Sequence, residues 1–435
     1  MEKIRKNIAG IDIGSKKVFT SIEGQPVVSH LTFTEEFYHL RDYLLDHKIE
    51  SVAMEATGVY WVILYEILSE AEIDVWLVDG RQTKQVPGRK TDVKDAQWIQ
   101  ELHSYGLLNR CLVVDADTKE LRSYLRLRED HINSSAKHIN QMQKALTLMN
   151  IRLKEVLSQI HGASGMAIIE AILAGERDKQ VLVGMCHTSV LKKKKDLVLK
   201  ALEGRYTKDG LFALKQAYDA YKFYLHQINE CDTKINEIIN KIGNNGEGQE
   251  LKEKRKSIRH HKPNVKNLGS NLLNIFDNKD ATLISGFTDY TWMQLLAETG
   301  PDLTRWPSEK HFTSWLGLSP GQHNSGKMRK NARKKGKPKA GQIFRVIAQG
   351  LINSKDVAIG AFGRKLRSRK GPKIAIKAMA RKLAVLYWRI MVKGLEYAEK
   401  GIQQYEEQLM LNKMKNLNRL AKELDVNIIQ NQYVG

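Results

Sequence analysis

Three short apolar stretches at hairpin spacing, Ile8–Gly14, Val18–Glu23 and Val27–Phe33, open the chain and restrict what it can fold into. Runs of this length, bounded by glycine or polar residues, read as strands joined by tight connections. Beyond them helices and strands alternate. Thr34–His47 carries Phe37, Leu40, Leu44 and Leu45 on one helical face. Ser51–Met54 is a strand running into Glu55, Val59–Ser69 is apolar at helical spacing, and Ile73–Val78 is another strand. A polar segment, Asp79–Thr91, then opens onto a helix from Asp92 to Tyr105.

Three antiparallel strands followed by helix–strand–helix–strand–helix is the element order of an RNase H-like α/β sheet. In such a sheet the first and fourth strands are neighbours. Asp12 ends the first and Glu55 ends the fourth, so their side chains meet at one sheet edge. Asp92 and Asp95, three apart at a helix start, share a face. Grouping four carboxylates without a cation costs several kcal/mol, on the order of a buried unpaired charge. Oxygen ligands of this kind suit Mg²⁺ or Mn²⁺, which keep waters and accept phosphate oxygens. Two ions about 3.5–4 Å apart would stabilise both oxygens of an in-line displacement. Each residue alone also has a plain reading: Asp92 as a charge favoured by a helix dipole, Asp12 as a turn residue, Glu55 as a solvated one. It is the set, on the right elements, that points to metal. Gly10-Ile-Asp-Ile-Gly also resembles the first phosphate loop of actin-like sugar kinases. A second Asp-x-Gly loop and a paired domain, which that class needs, are not found in the sequence.

Charge points the same way. Seventy Lys and Arg against 49 Asp and Glu give a formal net charge of +21, and a polyanionic partner accounts for it, because each neutralised phosphate releases counterions. The densest cluster is Lys327, Arg329, Lys330, Arg333, Lys334, Lys335, Lys337 and Lys339, eight basic residues among thirteen with no acid. Arg364, Lys365, Arg367, Arg369 and Lys370 form a second cluster, and Lys252–Lys262 a third. Phosphate contacts carry no sequence information and suit DNA and RNA alike.

A chain of 435 residues is long for one domain. Four parts are expected: an RNase H-like domain over 1–115, a helical middle over 116–279, a mostly helical domain over 280–395, and a helical tail over 396–435. The middle has two long amphipathic patterns, Thr118–Ile160 and Leu211–Ile242, which read as an α-helical coiled-coil arm or as an ordinary bundle. Residues 243–270 read as a basic linker. The third part centres on a loop, Leu316–Gly326, that leads into the basic run. Trp61, Trp76, Trp98, Trp306 and Trp315 read as core residues. No apolar run approaches the roughly 18–20 residues of a membrane span, Met1–Ile8 lacks the apolar stretch of a signal peptide, and Cys111, Cys186 and Cys231 are scattered. A cytoplasmic protein with no membrane contact is expected.

Taken in order, Gly10-Ile-Asp12, Met54-Glu55-Ala-Thr-Gly58, Lys90-Thr-Asp92-Val-Lys-Asp95-Ala, Phe312 through Pro320, Ser325-Gly326 and Lys339-Ala-Gly341 with Arg345 resemble the DEDD-type insertion-sequence transposases, the bridge-RNA-guided recombinases. The resemblance implies a RuvC-like N-terminal domain that holds metal through four acids. It also implies a C-terminal transposase domain whose serine, here Ser325, becomes joined to cleaved DNA. Its implied partners are donor and target DNA, a guide RNA from the element's non-coding end, and further copies of the chain, as a dimer or tetramer with composite active sites. Arg345 and the basic clusters are the implied nucleic-acid contacts. A serine hydroxyl needs a base or metal to become a nucleophile, and a flanking glycine lets backbone come close to DNA. Without the resemblance, Ser325 is one loop serine beside Ser314 and Ser319. Two other functions share these residues: a hydrolytic, junction-resolving nuclease using metal-activated water, and a nucleic-acid-binding protein without catalysis. The chain departs from the family pattern at Ile284-Ser-Gly-Phe-Thr, where Pro-Gly-Ile-Gly is common, at Gln342, where Asn is common, and in the longer region 156–280.

Overall fold

The computed structural model describes residues 2–83, 91–247, 261–320, 322–325, 328–331, 338–354 and 358–394, and in the C-terminal segment 407, 410–411 and 414–426. The chain divides into two compact units, Met1–Val114 and Asp115–Gly435.

The first unit runs β1 (Ile8–Ile13), β2 (Lys17–Ile22), β3 (Val28–Leu31), α1 (Thr34–Asp46), β4 (Ser51–Glu55), α2 (Trp61–Glu70), β5 (Asp74–Val78), α3 (Gly80–Thr83) and α4 (Asp92–Ser104). The sheet order is β3-β2-β1-β4-β5. β1 pairs antiparallel with β2 and parallel with β4, while β4 and β5 are parallel. Every residue of β1 except Asp12 is buried, which is what a central strand covered on both faces requires. Phe37, Leu40, Leu44, Leu64 and Leu68 of α1 and α2 pack with Ile11, Val52 and Met54. On the other face Ile99 and Leu102 of α4 pack with Ala53 and Val78. This mixed α/β sheet, with its antiparallel edge, agrees with the RNase H-like order read from the sequence.

The second unit is mostly helical: α5 (Ala116–Leu148), α6 (Leu153–Val156), α7 (Ala163–Leu173), α8 (Lys179–Gly184), α9 (Thr188–Ala201), α10 (Lys208–Ile242), α11 (Leu268–Ile275), α12 (Asp289–Thr299), α13 (Glu309–Trp315), β6 (Gln322–Ser325), β7 (Met328–Asn331), α14 (Lys339–Leu351), α15 (Ala358–Lys370) and α16 (Pro372–Lys393). α5 and α10 lie side by side and antiparallel. Asp117 pairs with Lys241 at 2.7 Å, Arg128 with Asp232, His138 stacks on Tyr224 at 5.4 Å, and Met149 lies against Gly210. The first helix stops at Leu148 rather than running on to Ile160. Asn150 turns into the left-handed region at φ 57°, a conformation asparagine tolerates, and Arg152 N–H then donates to Ala201 O at 2.8 Å. Helices α6–α9 therefore form a cap over this end of the pair, where Leu153, Ile168, Ile172, Leu182 and Val198 share one core with Leu146 of α5 and Leu214 of α10.

Toward the C-terminus, aromatic rings fill the core. Phe312 meets Phe344 edge to face at 6.2 Å, Phe344 meets Tyr387 at 5.8 Å, and Trp306 meets Phe312 at 4.9 Å. Such pairs contribute on the order of 1 kcal/mol each beyond their buried area. Among the described residues no helix is long and apolar enough to cross a membrane.

Candidate functional site

The register of the first sheet decides where the acids lie. Gly10 pairs with Ala53 and Ile11 with Met54, so Asp12 and Glu55 stand one residue beyond the last paired partners, at the C-terminal ends of adjacent strands. Side chains alternate along a strand, which puts Gly10 and Asp12 on one face, the face covered by α4. The approach there is close. A Cβ on Gly10 would lie 2.5 Å from Ala96 O and 2.7 Å from Gln100 Cα.

The direction of α4 is set by its far end. His103 Nε2 lies 2.9 Å from Ser51 Oγ at the start of β4, and Ser104 O accepts from Ile4 N at 2.9 Å. α4 thus runs antiparallel to β1 and β4, and its first turn, with Asp92 and Asp95, reaches the sheet end that carries Asp12 and Glu55. Thr91 caps that turn, its hydroxyl accepting from Lys94 N at 3.4 Å. His103 is fully buried, and burial, followed by the charge of Arg5, pushes its pKa down to about 4. It is a neutral ring that pins the helix and plays no part at the acidic end.

Sequence reasoning missed Thr83. Its hydroxyl donates to Glu55 Oε2 at 2.5 Å, while Thr57 Oγ1 donates to Oε1 at 3.3 Å. Asp12, Glu55 and Asp95 are half-buried and Asp92 is exposed. Among the described residues no three His, Cys, Asp or Glu side chains are drawn together closely enough to hold a metal ion between them. Lys90, which precedes the helix in the sequence motif, lies outside the described residues.

In the second unit the segment read as a loop contains a two-stranded hairpin. Gln322 pairs with Asn331, His323 with Lys330, Asn324 with Arg329, and Ser325 with Met328. Ser325 is the last paired residue of its strand. A flank of this hairpin is tightly built, since Gly341 on α14 sits where any Cβ would strike Leu316 O.

Residues 9–151 match a transposase family model of the DEDD, IS110 type. Residues 281–362, which include Ser325, match the model of the transposase IS116/IS110/IS902 family. The chain belongs to the IS110 family of transposases. No curated protein matches it. Members of this family are enzymes that cleave and transfer DNA, so the transposase binds DNA as substrate.

The basic residues of the transposase divide by what they touch. Lys339 is ion-paired with Glu129 on α5. Arg345 donates to Gly317 O and to Gln342 Oε1, both at 3.4 Å. Arg364 donates to Ser354 O, and Arg367 to Asn353 Oδ1 at 3.1 Å. Arg369 is exposed. Arg329 and Lys330 belong to β7, whereas Lys327, Arg333, Lys334, Lys335 and Lys337 lie outside the described residues, as does most of the third basic cluster.

Proposed function

We propose that the transposase is an RNA-guided recombinase that cuts and exchanges DNA strands through a covalent serine–DNA intermediate. Asp12, Glu55, Asp92 and Asp95 hold Mg²⁺ or Mn²⁺ in the RuvC-like part, and Ser325 is the nucleophile of the transposase part. The observation that carries the reading is the antiparallel run of α4 across β1, which brings two acids of a helix and two of a sheet to one end and one face.

Carboxylate oxygens are in kind the donors an oxygen-seeking divalent ion takes, beside the waters and phosphate oxygens that Mg²⁺ retains. The Thr83 hydroxyl orients Glu55 from behind, as outer partners of ligating carboxylates do. When bound, such an ion stabilises negative charge on the phosphate and lowers the pKa of a coordinated hydroxyl or water.

In the cleavage step the Ser325 oxygen attacks phosphorus and gives up its proton. One bond from phosphorus to a sugar oxygen breaks, and that sugar oxygen takes up a proton. In the second step a sugar hydroxyl of another strand attacks the phosphoserine ester, restoring the serine and joining the new strand. Two transesterifications conserve the number of phosphoester bonds, so no energy source is needed. Lys339, Arg345, Arg364, Arg367, Arg369 and the residues of the basic run (Lys327, Arg329, Lys330, Arg333, Lys334, Lys335 and Lys337) hold donor DNA, target DNA and a guide RNA on their backbones. The enzyme works as a dimer or tetramer in the cytoplasm, its domains being 1–115, a helical middle over 116–279 with a coiled-coil arm, 280–395 and a helical tail over 396–435.

Trapping tests the serine. End-labelled DNA incubated with the transposase and then denatured should remain attached to the wild-type chain and be absent from Ser325→Ala. Equal cleavage by Ser325→Ala sinks the covalent reading and leaves the hydrolytic nuclease.

A further inference from the structure

Three cations from two helices gather where the chain leaves α13 for the hairpin. Lys377 on α16 donates its Nζ to Ser319 O at 2.9 Å. Arg345 on α14 reaches Gly317 O at 3.4 Å. Arg381 stands one helical turn beyond Lys377, on the same face of α16, and both guanidinium groups act on the Lys377 ammonium. Burial first, then the charges of Arg345 and Arg381, holds that ammonium below the ordinary lysine range.

What is missing is a counter-charge. Among the described residues no carboxylate is ion-paired with Arg345, Lys377 or Arg381, and the buried Nε of Arg345 has no hydrogen-bond partner. The oxygens they touch, Gly317 O, Ser319 O and Gln342 Oε1, are only partial charges: the whole end of a helix amounts to roughly half an elementary charge. About three positive charges against three carbonyl dipoles, in a half-buried setting, is a costly arrangement unless an anion completes it. Two other half-buried cations of this unit do have one: Lys339 is answered by Glu129 and Arg389 by Glu309.

Position says which anion. Gly317 and Ser319 are the root of the segment that carries the β6–β7 hairpin, in an enzyme that takes DNA as substrate. We propose that Arg345, Lys377 and Arg381 form a cradle for a backbone phosphate of the DNA strand that enters beside the hairpin. Lys377 serves twice: its bond to Ser319 O fixes the hairpin's root, and its charge fixes the strand to that root. The strand and the hairpin are then held by the same side chains, so hairpin position and strand position are coupled. The cradle requires only that the enzyme bind DNA, and it stands whether or not Ser325 becomes joined to the strand.

The test is the salt dependence of binding by the full-length protein to a duplex DNA oligonucleotide. Each phosphate contact contributes about 0.9 to the slope of log affinity against log salt on duplex DNA. Lys377→Met and Arg381→Met should each lower that slope by about one contact's share, weakening binding alike on unrelated sequences, while Lys377→Arg keeps the wild-type slope. Arg381 has no protein partner among the described residues, so Arg381→Met remains informative should Lys377→Met fail to fold. A slope unchanged in Arg381→Met overturns the cradle, even if cleavage falls. A slope that drops for a structured RNA but not for DNA assigns the cations to RNA and also overturns it. Ser325→Ala, assayed in parallel, should keep the full slope, which separates this proposal from the covalent one.

Discussion

Gly10→Ala probes the close contact that seats α4 against β1. An added Cβ would stand 2.5 Å from Ala96 O and 2.7 Å from Gln100 Cα, and it would also strike Gln100 N. All of these are helix backbone and none can swing aside. Restoring an ordinary contact of 3.4 Å to the nearest of these atoms moves α4 a little more than about 1 Å off β1. Overpacking of this kind costs about 1–3 kcal/mol, read as a lower denaturant midpoint. The effect on catalysis should be larger than the effect on folding. A misplacement of about 1 Å among catalytic groups costs about 100-fold in rate, and in the proposed site α4 supplies Asp92 and Asp95 while β1 supplies Asp12. We therefore expect DNA cleavage per folded molecule to fall by about two orders of magnitude, measured well below the unfolding transition. Gly184→Ala is the control, because its Cβ would meet nothing within 4 Å, and it should leave both readouts at wild-type levels. A Gly10→Ala enzyme that loses stability yet cleaves at the full rate refutes the idea that α4 belongs to the site. One that loses neither refutes the packing itself.

Two further outcomes concern the scaffold. Arg128 and Asp232 are both buried, and they also hold His261 O at 2.8 Å and Asn264 N at 3.1 Å. Asp232→Ala should destabilise the helical unit by about 3–5 kcal/mol in a denaturant titration, and the Arg128→Met/Asp232→Leu pair should recover most of that, because the cost lies in the uncompensated charge. For His103 the folded pKa is about 4, below its ordinary 6.5, so the unfolded chain binds the proton first. Stability of the first unit should be level above pH 6.5, fall as pH drops from 6.5 toward 4, and then stop falling on this account. His103→Phe should flatten that segment of a thermal-melt pH series, and an unchanged profile would exclude the histidine as its source.

The sequence made the first unit readable because its signals are local. β1 is apolar in nearly every position and must be central, the periods of α1 and α2 are unambiguous, and Thr91-Asp92 marks the start of α4. Those features alone put Asp12 and Glu55 on neighbouring strands. The hairpin at Gln322–Asn331 escaped because neither strand has apolar alternation: Gln-His-Asn-Ser faces Met-Arg-Lys-Asn, and polar strands look like loop. Long-range partners escaped for a different reason. Thr83 meets Glu55 across 28 positions, and Lys339, which reads as a phosphate ligand within its basic run, meets Glu129 on a distant helix. Neither helix pattern nor charge count encodes such pairs. Lys377 and Arg381 escaped within an amphipathic helix whose cations look like ordinary solvated residues until the carbonyls beneath them are seen.

The antiparallel pair of α5 and α10 also acts as a ruler. With 33 and 35 residues it spans about 50 Å at 1.5 Å per residue, and the cap of α6–α9 closes one end over a core shared with both helices. Inserting about seven residues into each helix adds roughly 10 Å and returns nearly the same faces to one another. Inserting them into one helix alone slides Arg128 away from Asp232. The buried ion pair is therefore a register pin, which permits the helix pair to change length only by matched steps, and relatives of different length should differ by paired insertions on either side of the cap.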